Sequence, residues 1–151
     1  QSSEATAMGS LLVLLSLSHA VSLSLPTKAH PATLPGDPSL VLNTNVVLGE
    51  RKIAFMKATS KIIASTLSKP ESYVAICVND GLDIIWAGEE SPCALGMLCS
   101  LGQINQANNA AVTAAISELL DAHGVPADRI YINFFDVPRE NCGWNGRTFA
   151  G

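Results

Sequence analysis

From Pro38 onward, short apolar runs alternate with longer segments whose apolar residues recur every three or four positions, the pattern of strands interleaved with helices. Pro38–Val47, rich in aliphatic and β-branched residues and bounded by Pro-Gly-Asp and by Gly49, predicts a buried strand. Between Arg51 and Ser68, Phe55, Thr59, Ile62, Ile63 and Thr66 share one helical face, which Ile53, Met56 and Leu67 widen. Ser68-Lys69-Pro70 ends that helix, because Pro70 disfavours helical geometry at the residue before it. Tyr73–Val78 predicts a second strand. The turn signal Asn79-Asp80-Gly81 then leads into a short strand, Leu82–Trp86, as a hairpin. A loop carrying Gly88, Pro92 and Gly96 follows, then a long helix from about Asn105 to His123. Its alanines permit close approach to a sheet, Ile116, Leu119 and Leu120 supply bulk, and Gly124 and Pro126 are its stop signals. Arg129–Asp136 alternates strongly as a strand, and Cys142–Phe149 closes the pattern around a Gly-Trp-Asn-Gly turn.

Strand, helix, strand, then strand, helix, strand makes two β-α-β-like units of similar length and an α/β (α+β) fold with a mixed sheet. With both helices on one face of the sheet, the other face needs a cover. Neighbouring subunits are the economical way to supply it, so the pattern predicts an oligomer.

The chain's 151 residues suit one compact domain behind a leader. Its 9 Lys and Arg against 13 Asp and Glu leave no basic footprint for nucleic acid. Residues 8–36 carry a single charged side chain, Lys28, which sets them apart from the rest. Leu11–Leu25 is an apolar, serine-rich run shorter than the ~20 residues a spanning helix needs, which disfavours a permanent membrane anchor. Met8 before the run and the Pro-rich stretch Pro26–Pro38 after it resemble a secretory signal peptide with a spacer, Gln1–Ala7 reading as upstream of the initiator. The expected division is a leader over 1–37 and a folded domain over 38–151, with secretion as the compartment. The missing basic n-region keeps a cytoplasmic extra helix open, and the Ser-rich, acid-poor leader keeps a plastid destination open.

Cys77, Cys93, Cys99 and Cys142 match neither a C-x-x-C pair nor a disulfide framework, and His19, His30 and His123 are scattered, so no metal is expected. Alternation puts Tyr131, Asn133 and Phe135 on one face of a strand, Ile130, Ile132 and Phe134 on the other. A phenol and a carboxamide side by side can stabilise an oxygen that gains negative charge, or simply satisfy local polar groups. Lys69, at a helix end, is either a solvated cap or a holder of a substrate carboxylate.

Pro38-Ser-Leu-Val-Leu-Asn-Thr-Asn-Val46, Ser68-Lys69-Pro70, Pro92-Cys-Ala-Leu95, Ser100-Leu-Gly-Gln-Ile104, Asp128-Arg-Ile-Tyr-Ile-Asn-Phe-Phe-Asp136 and Gly143-Trp-Asn-Gly-Arg-Thr-Phe149 follow one another at family-like spacing. Together they resemble the macrophage migration inhibitory factor and D-dopachrome tautomerase family. The resemblance implies the tautomerase fold, a homotrimer of two β-α-β units per subunit with active sites between subunits. It implies Pro38 as the catalytic base of keto-enol tautomerisation, Lys69 as the carboxylate holder and the backbone N–H of Leu101 as its assistant. It further implies Tyr131 and Asn133 reaching in from a neighbouring subunit, and Trp144 and Phe149 lining the apolar side. Substrates would be aromatic α-keto acids of the phenylpyruvate type or dopachrome-like compounds, with no cofactor.

Two positions depart from the family pattern. Asp37 precedes Pro38, so the proline nitrogen is a tertiary amide, and base catalysis requires cleavage between the two. Gly96 stands where the family's C-x-x-C pair has its second cysteine, so redox activity is not carried over. An enzyme active after processing to Pro38 is one reading; a blocked trimer serving as a cytokine-like ligand of a cell-surface receptor, or as a scaffold, is the other.

Overall fold

The computed structural model describes residues 37–151. The leader expected over Leu11–Leu25 and its Pro-rich spacer lie outside the described residues, Asp37 and Pro38 apart. Among the described residues, no helix is long and apolar enough to cross a membrane.

The chain runs β1 (Pro38–Thr44), α1 (Lys52–Thr66), β2 (Ala75–Asn79), β3 (Ala94–Ser100), α2 (Gln106–Asp121), β4 (Ile130–Asp136), and a terminal ribbon of β5 (Gly143–Trp144) and β6 (Arg147–Thr148). The main sheet has the order β2-β1-β3-β4. β1 pairs parallel with β2 and β3 parallel with β4, while β1 and β3 meet antiparallel. Two β-α-β units are thus joined edge to edge, the architecture the hydrophobic pattern implies.

One strand sits elsewhere than expected. The hairpin partner predicted at Leu82–Trp86 is not a strand; the segment hangs from β1 through Gly81 N–H to Val46 O (3.1 Å) and Leu82 N–H to Thr44 O (3.0 Å). It ends in a tight turn, Trp86 bridging Glu89 across Ala87 and Gly88, both left-handed. The strand opening the second unit is β3, within the stretch expected to be a loop. Ala-Leu-Gly-Met-Leu-Cys-Ser has no β-branched residue and a glycine at its centre, so local preference argues against it. Tertiary packing overrides that preference. Gly96 lies opposite Leu42 and Ile132, and a Cβ there would come within 3.2 Å of Ile132 Cγ1 and 3.4 Å of Leu42 Cδ1.

One face of the sheet carries the core. Leu40, Leu42, Val78, Ala94, Leu98 and Ile130 pack against Phe55 and Ile63 of α1 and Val112, Ile116 and Leu120 of α2. The opposite face is uncovered: Val41, Leu95, Met97, Tyr131 and Phe135 are all exposed there. Cys77, Val41, Met97 and Asn133 form one row across that face, flanked by Asn43, Leu95 and Tyr131.

Candidate active site

Lys69 is set by the end of α1. Ser68 adopts a left-handed conformation (φ 51°), Lys69 N–H donates to Ala64 O (2.9 Å) and Ser68 N–H to Ser65 O (3.3 Å), the paired bonds of a Schellman cap. Pro70, extended at ψ 133°, then turns the chain away and leaves the lysine at the corner. Its Nζ donates to the carbonyl of Leu101 at 2.7 Å. Leu101 follows β3, and its own N–H donates to the carbonyl of Asp37 at 3.0 Å, one rung beyond the Pro38–Ser100 pair. The sheet therefore brings the Asp37-Pro38 bond, Leu101 and Lys69 to one corner. Pro38 is itself buried.

The Lys69 ammonium is held below the usual lysine range, first by burial and then by the Arg139 guanidinium, with the Asp136 and Asp37 carboxylates pulling it back up. Asp136 is oriented by the N–H of Gly102, which donates to Oδ1 at 2.9 Å.

Beside this corner lies a cleft of about 260 Å³ lined by Asp37, Ser72, Tyr73, Ala75, Cys142, Gly143, Trp144 and Phe149. The terminal ribbon builds its aromatic wall: Trp144 and Phe149 stack at 5.5 Å and 16°, and Tyr73 tilts against them at 5.8 and 6.5 Å. Phe149 is anchored by its N–H to Cys142 O (3.0 Å) and by Arg139 Nε, which donates to its carbonyl (3.3 Å). The Cys142 thiol faces Asp37 Oδ2 at 3.6 Å. Burial and then the Asp37 charge push the thiols of Cys142 and Cys99 above the usual range, so neither is disposed to act as a nucleophile at neutral pH. Among the described residues, no group of three or more His, Cys, Asp or Glu is arranged to hold a metal ion.

Of the residues singled out in the sequence, Pro38, Lys69, Leu101, Trp144 and Phe149 converge on this corner. Tyr131 and Asn133 do not: they lie on the open face of β4, where Tyr131 packs on Trp86 at 4.3 Å. The Leu101 N–H is engaged by Asp37 rather than open to a ligand. Sequence reasoning missed Tyr73, Cys142 and Arg139. Tyr73 read as the start of a strand but belongs to the short turn Glu71–Tyr73 between Lys69 and β2. Arg139 and Cys142 lie in the short connection between β4 and the ribbon, where no periodicity marks a facing direction.

The sequence profile of macrophage migration inhibitory factor matches residues 37–150. The chain belongs to the macrophage migration inhibitory factor family. A homologue from Trichuris trichiura is 41% identical over 113 residues, covering 74% of this chain and 99% of the relative. The Rattus norvegicus protein is 35% identical over 114 residues, covering 75% and 99%. Among solved structures, the family member from Trichinella spiralis superposes with a TM-score of 0.68 at 35% identity, covering 74% of this chain and 99% of that one. A homologue from Prochlorococcus marinus gives 0.71 at 29% identity, covering 74% and 98%. The four-stranded sheet with two helices is thus the tautomerase fold of this family, and residues 37–150 correspond to nearly the whole length of these relatives.

Proposed function

We propose that this chain, once its leader is removed up to Asp37, is a keto-enol tautomerase of aromatic α-keto acids that works as a homotrimer. The observation that carries the reading is the meeting of the Asp37-Pro38 bond, Lys69 and the Tyr73–Trp144–Phe149 wall at one corner of the sheet. Cleavage converts the Pro38 amide into a secondary amine. An α-amino group starts near a pKa of ~8, and the Lys69 and Arg139 charges lower it toward working pH, where it serves as a matched general base. The amine takes a proton from the carbon beside the substrate's carbonyl and returns it to the other end of the enol system. Lys69 holds the carboxylate, the aromatic wall holds the ring, and the Leu101 N–H, released from Asp37, turns to the substrate. Tyr131 and Asn133 of a neighbouring subunit complete the polar side. In this reading the signal-peptide-like run at 8–25 directs export, and removal of the leader up to Asp37 also unmasks the base.

The test is to compare the full chain with one beginning at Pro38, following loss of enol-phenylpyruvate by its ultraviolet absorbance. The shorter chain should turn over substrate, and the full chain and a Pro38→Gly version of the shorter chain should lose most of that rate. Equal rates in all three would refute the assignment of the base.

A further inference from the structure

Trp86 belongs neither to the core nor to the corner around Lys69, yet it is held from several sides. Its N–H and carbonyl exchange hydrogen bonds with those of Glu89, both at 3.0 Å, across Ala87 (φ 54°) and Gly88 (φ 81°). Two successive left-handed residues inside a doubly bonded pair make a type I′ hairpin turn, in which alanine holds a conformation it disfavours on its own. Arg129 fixes this turn to the start of β4. Its Nε donates to the Pro92 carbonyl (2.9 Å), and its Nη2 to the carbonyls of Ser91 (3.1 Å) and Trp86 (3.5 Å). The same guanidinium lies over the indole, its carbon 5.9 Å from the ring centroid.

The indole is held against Tyr131. The two ring centroids are 4.3 Å apart and the planes 35° from parallel. Tyr131 stands on the uncovered face and is 63% exposed. A side chain that exposed ordinarily exchanges between rotamers within nanoseconds, and stopping it costs conformational entropy. The indole removes that freedom by occupying one side of the phenol ring. Apolar burial does not account for the arrangement, since both rings stay partly open to solvent.

We propose that Trp86, fixed by its turn and by Arg129, is a positioning residue that sets the Tyr131 phenol for the catalytic site of another copy of the chain. This role rests on the reading that places Tyr131 in a neighbouring tautomerase site. A donor that stabilises charge on a reacting oxygen has to stand within about 0.5 Å of its productive place. A phenol without the indole would leave substrate binding nearly unchanged and stabilise the transition state less. Trp86 thus acts through Tyr131 and touches no reacting atom.

The first measurement is made on the full chain with its tyrosine rings labelled with carbon-13. There are two tyrosines, and Tyr73, packed on Trp144 and Phe149, is the internal reference. In Trp86→Ala the NMR order parameter of the Tyr131 ring should fall by about a third, with Tyr73 unchanged. Trp86→Phe, which keeps a ring in place, should preserve it. Arg129→Lys, which loses the fork on the turn's carbonyls, should lower it to a smaller extent. A Tyr131 as well ordered without the indole as with it would overturn the proposal.

The second measurement is a double-mutant cycle on phenylpyruvate turnover by the chain beginning at Pro38. Trp86→Ala should lower kcat about tenfold and change KM less than about twofold, and Trp86→Phe should recover most of the loss. Added to Tyr131→Phe, Trp86→Ala should lower kcat no further, because the hydroxyl it positions has gone. Additive losses, or a loss that accompanies dissociation in light scattering, would assign Trp86 to the interface and overturn the proposal. If Tyr131→Phe lowers kcat and Trp86→Ala does not, the positioning role falls and the tautomerase reading stands. If the chain beginning at Pro38 turns over no phenylpyruvate while the indole still orders Tyr131, the tautomerase reading falls and the hold of Trp86 on the phenol stands.

Discussion

Replacing Lys69 by Gln in a chain beginning at Pro38 separates substrate binding from base catalysis. The ammonium has three donors, and one is given to the Leu101 carbonyl at 2.7 Å, so two remain for a substrate carboxylate. A hydrogen bond to a charged group contributes about 1.5–3 kcal/mol. Lys69 is only partly buried, so solvent screening brings the expected loss toward about 1–2 kcal/mol, a rise in KM for phenylpyruvate of roughly 5- to 30-fold. Gln can still donate to the Leu101 carbonyl, which keeps the corner intact. For the methyl ester KM should change little. Removing the cation should also move the acid limb of the kcat/KM profile to higher pH, because Lys69 no longer disfavours protonation of the Pro38 amine. Steady-state kinetics on both substrates over a pH series checks this. An equal rise in KM for acid and ester, or an unmoved pH limb, would refute the placement of Lys69 at the carboxylate.

Three further outcomes follow from the fold. Gly96→Val should destabilise the chain by about 1–3 kcal/mol in urea unfolding, despite valine's preference for strands, because even a Cβ there meets Ile132 at 3.2 Å. Met97→Glu puts a charge at the centre of the uncovered face, where Met97 is 50% exposed, and light scattering should find a monomer if that face is where the proposed trimer is built. His123 packs edge-on against Phe55 at 5.7 Å, and burial, then Arg51, hold it below the ordinary histidine range. The unfolded chain therefore takes up a proton first as pH falls below about 6.5, so this stabilising contribution is present above that value and lost beneath it. The melting temperature of His123→Gln should accordingly vary less between pH 7.5 and 5.5 than that of the unaltered chain.

Elements whose stability is local were the legible ones. The stripe Phe55–Thr59–Ile63 of α1 and the alternation of β4 announce their buried faces, and Pro70 and Gly124 mark the helix ends. β3 was hidden because its stability is not local: a glycine-centred segment becomes a strand only when β1 and β4 pair with it on both sides. Leu82–Trp86 erred the other way, an apolar run that stays at the edge, with Ile85 63% exposed. In the candidate corner, the place of Lys69 at a helix end before a proline was legible, but position alone left it open between a solvated cap and a carboxylate holder. Tyr73 and Arg139 act through contacts across the fold, Tyr73 with Trp144 and Arg139 with Phe149, which no single-chain pattern encodes.

Tyr131 and Asn133 carry one more step. Pro38 is level with Ser100, and Ser100 with Asp136, at the end of β4 opposite to Tyr131. At ~3.3 Å per residue, Tyr131 lies roughly 16 Å along the strand from the level of Pro38, beyond the reach of a phenol. It also belongs to the open face, whereas the cleft lies by the terminal ribbon. If these side chains serve the proline, they serve that of another copy, and the apolar open face is the surface on which copies meet. Such a site can be complemented. Chains beginning at Pro38 that carry Pro38→Gly, and others carrying Tyr131→Phe with Asn133→Ala, should each be nearly inactive alone. Unfolded together in equal amounts and refolded, they should assort at random into trimers, every mixed trimer having one site with both halves intact, about a quarter of all sites. Phenylpyruvate turnover near a quarter of the unaltered rate would follow from sites shared between subunits. A mixture no more active than its parents would mean that each subunit builds its site alone, and Tyr131 and Asn133 would then be residues of the interface and not of the chemistry.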